Sequence, residues 1–176
     1  MLRPMRRLLT PTLRSERLWT VSLAALRARN LRALLVDVDN TIIPTGGHEP
    51  NTDALDWLAR AHSGGFALCL LSNARPPRVA ALAERVGAAW VSKGPWWMPG
   101  KPLGWIFRRG LARLGAPQGT VAVIGDQVFT DVLGGNALGL TTILVRPLSA
   151  REFIGTRVTR LMERLVLRWI GAVDSA

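Results

Sequence analysis

Apolar residues along this chain fall into two alternating patterns. Short, largely apolar runs at Leu31–Val36, Phe66–Leu71, Ala88–Val91, Thr120–Ile124 and Thr141–Val145 have the length and composition of strands buried on both faces. Between them lie longer stretches in which apolar positions recur at helical spacing. One runs from Asn51 or Thr52 to about His62, with Leu55, Leu58 and Ala59 on its inner face, and Gly64-Gly65 ends it. Others run from Pro76 or Pro77 to Val86, over Leu103–Leu114 and over Phe129–Leu138. Asn40–Asn51, with Pro44, Gly46, Gly47 and Pro50, predicts a loop. Strand and helix alternate throughout. This pattern predicts an α/β fold with three layers: a mostly parallel, five-stranded, Rossmann-like sheet with helices on both faces and right-handed crossovers.

In such sheets, ligands bind beyond the carboxyl ends of the strands. Polar residues stand at three of those ends: Asp37 and Asp39 after the first run, Ser72 after the second and Asp126 after the fourth. Two acids two residues apart at the end of a buried strand raise each other's cost of ionisation unless a cation or a proton offsets them. Hard oxygen ligands suit Mg²⁺. The economical reading is a metal-dependent phosphoryl-transfer site.

Flanking segments have a different character. Residues 1–30 hold seven arginines against one acid, Glu16, and Leu18–Leu26 predicts a short helix. This basic segment is expected to precede a catalytic core over 31–150. In the remainder, 151–176, Arg157, Arg160, Arg164 and Arg168 recur at helical spacing, with Val158, Leu161, Leu165 and Trp169 on another face. That predicts an amphipathic helix, either packed on or beside the core or lying on anionic lipid. Trp96 and Trp97 pose the same choice between packing and a membrane–water interface.

The net charge of +11 attracts nucleic acid, anionic membrane or phosphorylated substrate alike. Nucleic acid is disfavoured, because the arginines lack regular aromatic interleaving. Cys69 is the single cysteine, so no internal disulfide forms, and it reads as an inert core residue. No stretch reaches the roughly 20 apolar residues of a membrane span. The expectation is a cytoplasmic protein able to touch the cytoplasmic membrane face peripherally.

The order of these motifs resembles the haloacid dehalogenase (HAD) superfamily of phosphatases. Asp37-x-Asp39-x-Thr41 matches its first motif, Ser72 its second, Lys101 its third, and Gly125-Asp126 with Asp131 its fourth. A narrower resemblance is to the YqeG family. It rests on Asp37–Ile42, Lys101-Pro102, Gly125-Asp126-Gln127, Thr130–Asn136, Leu138–Leu140 and Thr142–Val145. That family is related to phosphatases of mitochondria and chloroplasts acting on phosphatidylglycerophosphate. The loop Gly94–Gly100 departs from the family pattern by being longer and richer in tryptophan.

The resemblance implies that Asp37 is the nucleophile, forming an aspartyl phosphate, and that Asp39 is the acid and base. It implies a Mg²⁺ site at Asp37, the Asp39 backbone carbonyl and Asp126. Thr41, Ser72, Asn73 and Lys101 form the implied phosphate-binding set, with Thr41 also positioning the first loop, and Asp131 supports Lys101 or a metal-bound water. The 30 residues of 42–71 and the 28 of 73–100 leave no room for a cap domain, so the site is expected to be open. An open site suits a lipid headgroup, and phosphatidylglycerophosphate is the expected substrate. A soluble phosphate ester or phosphoprotein is the alternative.

Overall fold

The structure is a computed structural model and describes residues 2–74, 76–93, 100–149 and 171. Six strands form one sheet: β1 (Leu13–Ser15), β2 (Ala33–Asp37), β3 (Ala67–Ser72), β4 (Ala89–Ser92), β5 (Val121–Gly125) and β6 (Thr141–Val145). Their spatial order is β1-β6-β5-β2-β3-β4, and every neighbouring pair is parallel. Six helices accompany them among the described residues: α1 (Leu2–Leu9), α2 (Leu23–Ala28), α3 (Thr52–Ser63), α4 (Pro76–Val86), α5 (Gly104–Leu114) and α6 (Leu133–Ala137).

Period-two alternation explains why the central strands are apolar throughout. On β2, Leu34 and Val36 face a core shared with Trp57 and Leu58 of α3 and with Val79 and Leu82 of α4. Ala33 and Leu35 face the opposite core, with Ile106 and Phe107 of α5. Cys69 of β3 is fully buried in this second core, and burial pushes its thiol up to about 12. It is therefore protonated and inert at neutral pH. Gly134 and Gly135 are packing residues: a β-carbon on Gly134 would lie 2.2 Å from the Phe107 ring, and one on Gly135 2.6 Å from Thr142.

The expected count of five strands is corrected to six. The extra strand, β1, comes from the basic segment 1–30, where Leu13–Ser15 pairs with Ile143–Val145. The boundary expected at residue 31 does not separate two packing units, because Leu13, Leu18, Val21 and Leu26 share the core of β2 and α3. Trp57 Nε1 donates to the Val21 carbonyl at 2.8 Å, tying the segment to α3. Arginines are interspersed among the leucines of this segment, and its buried leucines follow no long period; a three-residue edge strand leaves almost no pattern to read. The expected helix over Phe129–Leu138 begins instead as a π-helical turn, Val128–Val132, before α6.

Within the described residues, 42–71 hold a loop, α3 and β3, while 73–100 hold α4 and β4, with no further domain in either interval. No helix among the described residues is long and apolar enough to cross a membrane. Trp96, Trp97 and the expected helix over 158–170 lie outside the described residues.

Candidate active site

The chain winds from β2 outward through β3 to β4, then returns to place β5 on the other side of β2. This reversal opens a crevice at the carboxyl ends of β2 and β5, where α/β sheets bind ligands. Asp37 ends β2, Ser72 ends β3, and Asp126 follows Gly125 at the end of β5.

The loop after β2 packs its apolar residues into the core. Val38, Ile42 and Ile43 are within the core, and the Ile42 and Ile43 amides both donate to the Val38 carbonyl. Asn40 adopts the left-handed conformation (φ 65°), which asparagine tolerates better than most residues. Its Nδ2 donates to the Ser149 carbonyl at 3.2 Å, and its Oδ1 accepts from the Ser149 amide at 2.9 Å. The carboxylate loop is thereby tied to the chain leaving β6. Asn40 is not among the residues expected from sequence; an Asp-Asn pair opening a loop is the signal that could have found it.

Lys101 joins two acids. Its Nζ donates to Asp37 Oδ1 and, at 2.7 Å, to Asp131 Oδ1. All three side chains are buried. Thr41 Oγ1 donates to Asp37 Oδ2 at 3.1 Å, so Thr41 fixes the carboxylate. Asp131 Oδ2 accepts from the Gln127 amide and from Thr130 Oγ1, each at 3.2 Å. The π-helical turn accompanies this contact: the Val132 amide reaches back five residues to the Gln127 carbonyl. Asn73 Oδ1 accepts from the Lys101 amide at 2.9 Å, and a β-carbon on Gly100 would sit 1.9 Å from that oxygen. Asn73 thus anchors the lysine's backbone, and glycine at position 100 makes room for it.

Carboxylate oxygens of Asp37, Asp126 and Asp131 lie within 4.8 Å of one another, all three residues buried. Burial holds the Asp37 carboxyl well above the usual carboxylate range; Lys101 pulls it down, while Asp131, Asp126 and Asp39 push it up. Burial acts to lower the Lys101 ammonium, but Asp131 and Asp37 outweigh it and the net direction is upward. Three buried carboxyl groups thus face a single buried ammonium, so acidic groups outnumber the basic one in this space. The donors in excess are carboxylate oxygens, so the set fits a hard divalent cation.

Asp39 lies outside this cluster by its side chain. Its Oδ2 accepts from Ser72 Oγ at 2.7 Å, and its Oδ1 accepts from Arg78 Nη1 at 3.3 Å. Arg78 is also absent from the expected set, since an arginine in a helical turn after Pro76-Pro77 carries no distinguishing sequence signal. His48 and His62 are exposed, as surface or loop residues would be.

Comparison with known proteins agrees with this architecture. The HAD-hydrolase-like family matches residues 98–147. The chain is 32% identical over 142 residues, 81% of its own length and 80% of the relative's, to the Bacillus subtilis (strain 168) protein named "Probable phosphatase YqeG". It is 40% identical over 58 residues to the Arabidopsis thaliana chloroplastic/mitochondrial phosphatidylglycerophosphate phosphatase 1; this stretch is 32% of the chain and 17% of that protein. A haloacid dehalogenase-like hydrolase from Brucella suis 1330 superposes with a TM-score of 0.59 at 16% identity, covering 74% of this chain and 88% of that one. The cobalt-bound deoxy-D-mannose-octulosonate 8-phosphate phosphatase of Haemophilus influenzae does so with 0.52 at 15% identity, covering 80% and 89%. The two superpositions speak for the fold alone. The long match to the Bacillus protein, with the fold and the ordered motifs, identifies this chain as a HAD-type phosphatase belonging to the YqeG family.

Proposed function

We propose that the protein hydrolyses a phosphomonoester through an aspartyl-phosphate intermediate, with Mg²⁺ as cofactor and phosphatidylglycerophosphate as substrate. The observation that carries the chemistry is the buried assembly of Asp37, Asp126, Asp131 and Lys101 at the strand ends. Asp37 attacks phosphorus while Asp39 gives a proton to the departing alkoxide. Asp39 then takes a proton from water, which attacks the phosphorus of the aspartyl phosphate, breaking its bond to the Asp37 oxygen and releasing inorganic phosphate. Splitting one displacement into two lowers each barrier. Lys101 and Ser72 bind the phosphoryl oxygens, Thr41 and Asn73 support Asp37 and the Lys101 backbone, and Asp131 orients Lys101. The carboxylates of Asp37 and Asp126, with the Asp39 backbone carbonyl, would hold Mg²⁺. When bound, the ion neutralises charge on the phosphoryl oxygens, where most of the catalytic gain in phosphoryl transfer lies.

Three observations support the lipid substrate. The partial similarity to the Arabidopsis enzyme bears the name of that substrate. The described residues between the first and third motifs build no cap, leaving the Asp39 side of the site open. The net charge of +11 favours an anionic membrane surface, where the enzyme would work peripherally on the cytoplasmic side. A panel comparing phosphatidylglycerophosphate in vesicles with sugar phosphates, nucleotides and phosphopeptides, with and without Mg²⁺, tests both parts. The highest kcat/KM is expected on the lipid. Equal or better turnover of a soluble ester would overturn the substrate, and activity surviving in Asp37→Asn would overturn the nucleophile.

A further inference from the structure

The Asp39 carboxylate is held by two donors suited to an anion. Ser72 Oγ donates to one of its oxygens at 2.7 Å and Arg78 Nη1 to the other at 3.3 Å. The Ser72 hydroxyl accepts from the Ala74 amide at 2.8 Å, so its single proton is committed to Asp39. Arg78 Nη2 donates to the Gly47 carbonyl at 2.9 Å, fixing the guanidinium between the first turn of α4 and the loop after β2. Unlike the buried Asp37–Lys101–Asp131 assembly, this pair faces the open side: the Arg78 and Asp39 side chains are 37% and 40% exposed.

On the catalytic reading above, which this inference extends, Ser72 binds a phosphoryl oxygen and Asp39 serves the leaving oxygen. Here the two are bonded to each other, and neither can act until that bond opens. Whatever opens it must offer Ser72 and Arg78 an anion in exchange. A phosphoryl group, like a carboxylate, presents paired anionic oxygens to hydroxyl and guanidinium donors. The geometry points to Arg78 as a substrate-anion contact outside the recognised motifs. Ser72 and Arg78 grip Asp39 in the place of substrate oxygens, and arrival of the phosphoryl group frees the Asp39 carboxylate for the leaving oxygen. Substrate binding and placement of the acid are thus one event.

The rival role for Arg78 is a strut that pins Gly47 and Asp39. Inorganic phosphate, in the presence of Mg²⁺, separates the two. Its affinity is read as competitive inhibition of p-nitrophenyl phosphate hydrolysis and directly by phosphorus NMR titration. Arg78→Gln is expected to weaken phosphate binding about 10- to 100-fold, the usual cost of a lost charge-assisted hydrogen bond. Arg78→Lys, which keeps the charge, should lose less. Asp39→Ala should bind phosphate more tightly than the wild type, because the competing carboxylate is gone. A strut predicts otherwise. Arg78→Gln that binds phosphate as well as the wild type overturns the assignment, as does Asp39→Ala that binds it more weakly. Should Arg78→Gln fail to fold, Arg78→Lys with unchanged affinity beside an untightened Asp39→Ala overturns it equally. Absence of hydrolysis in every protein, the wild type included, with the phosphate affinities ordered as expected, would instead count against the catalytic reading.

Discussion

The carboxyl carbon of Asp131 lies 2.3 Å from the position a β-carbon on Gly125 would occupy. No side chain fits there, so the glycine before Asp126 is what lets Asp131 reach Lys101. Gly125→Ala must push Asp131 out. It is expected to cost about 1–3 kcal/mol in stability, as overpacked cores do, and to lower hydrolysis far more than that loss explains. Urea denaturation beside kinetics at a temperature where the variant is fully folded checks this. Wild-type kinetics in a destabilised variant would mean that Asp131 does not set the lysine's position.

Stability should depend on pH in an unusual direction when divalent ions are chelated. The Asp37 carboxyl is raised above its unfolded value, chiefly by burial. The native state therefore binds more protons than the unfolded state between those two values, and stability falls as pH rises through that interval. Lys101 is raised as well, so its stabilising contribution is fully present below the ordinary lysine value and is lost as pH rises from there through its own elevated value. Thermal melts in chelator from pH 4 upward should show stability falling as Asp37 ionises, and added Mg²⁺ should flatten the trend. A melting temperature that climbs steadily from pH 4 to 7 in chelator would contradict the raised carboxyl.

Asp37→Asn should separate stability from activity. It removes one negative charge from a buried group of three acids and one base. Hydrolysis is expected to disappear, while the chelated protein melts about 2–4 °C higher, a shift of roughly 1 kcal/mol for a domain of this size. Mg²⁺ should then raise the melting temperature less than it does in the wild type. An unchanged response to Mg²⁺ would remove Asp37 from the ligand set.

Trp57 offers a test away from the chemistry. Its indole donates to the Val21 carbonyl while its ring fills the core between α3 and the N-terminal segment. Trp57→Phe keeps an aromatic ring but strands that carbonyl, at about 1–3 kcal/mol. Limited proteolysis should cut within residues 13–30 sooner than in the wild type. Cleavage first at the loop after β2 would point to a different weak point.

The central fold is legible in the sequence because buried parallel strands leave continuous apolar runs, and the acids ending them stand out against that background. Asp37 and Asp126, and Ser72 at the end of the next run, are visible for that reason, whereas Lys101 stands out only through the order of the family's motifs. What escapes is the geometry that depends on contacts distant in sequence. Nothing local marks Arg78 as the partner of Asp39, 39 positions away, or Asn40 as the clasp on Ser149, 109 positions away. The family resemblance implies that Asp39 meets the metal through its backbone; its side chain points to Ser72 and Arg78. The strand β1 escapes for a different reason: three residues cannot display a period, and its flanking arginines mask its single buried leucine.

That edge strand also governs when the sheet can close during synthesis. Leu13–Ser15 leaves the ribosome early, yet its strand partner, Ile143–Val145, follows some 130 positions later. Until then the first strand has no neighbour to pair with, and a version of the protein lacking its first 15 residues would leave β6 with a bare outer margin. Unpaired margins of this kind recruit strands from other copies, so such a truncation should be prone to self-association even with every catalytic side chain intact.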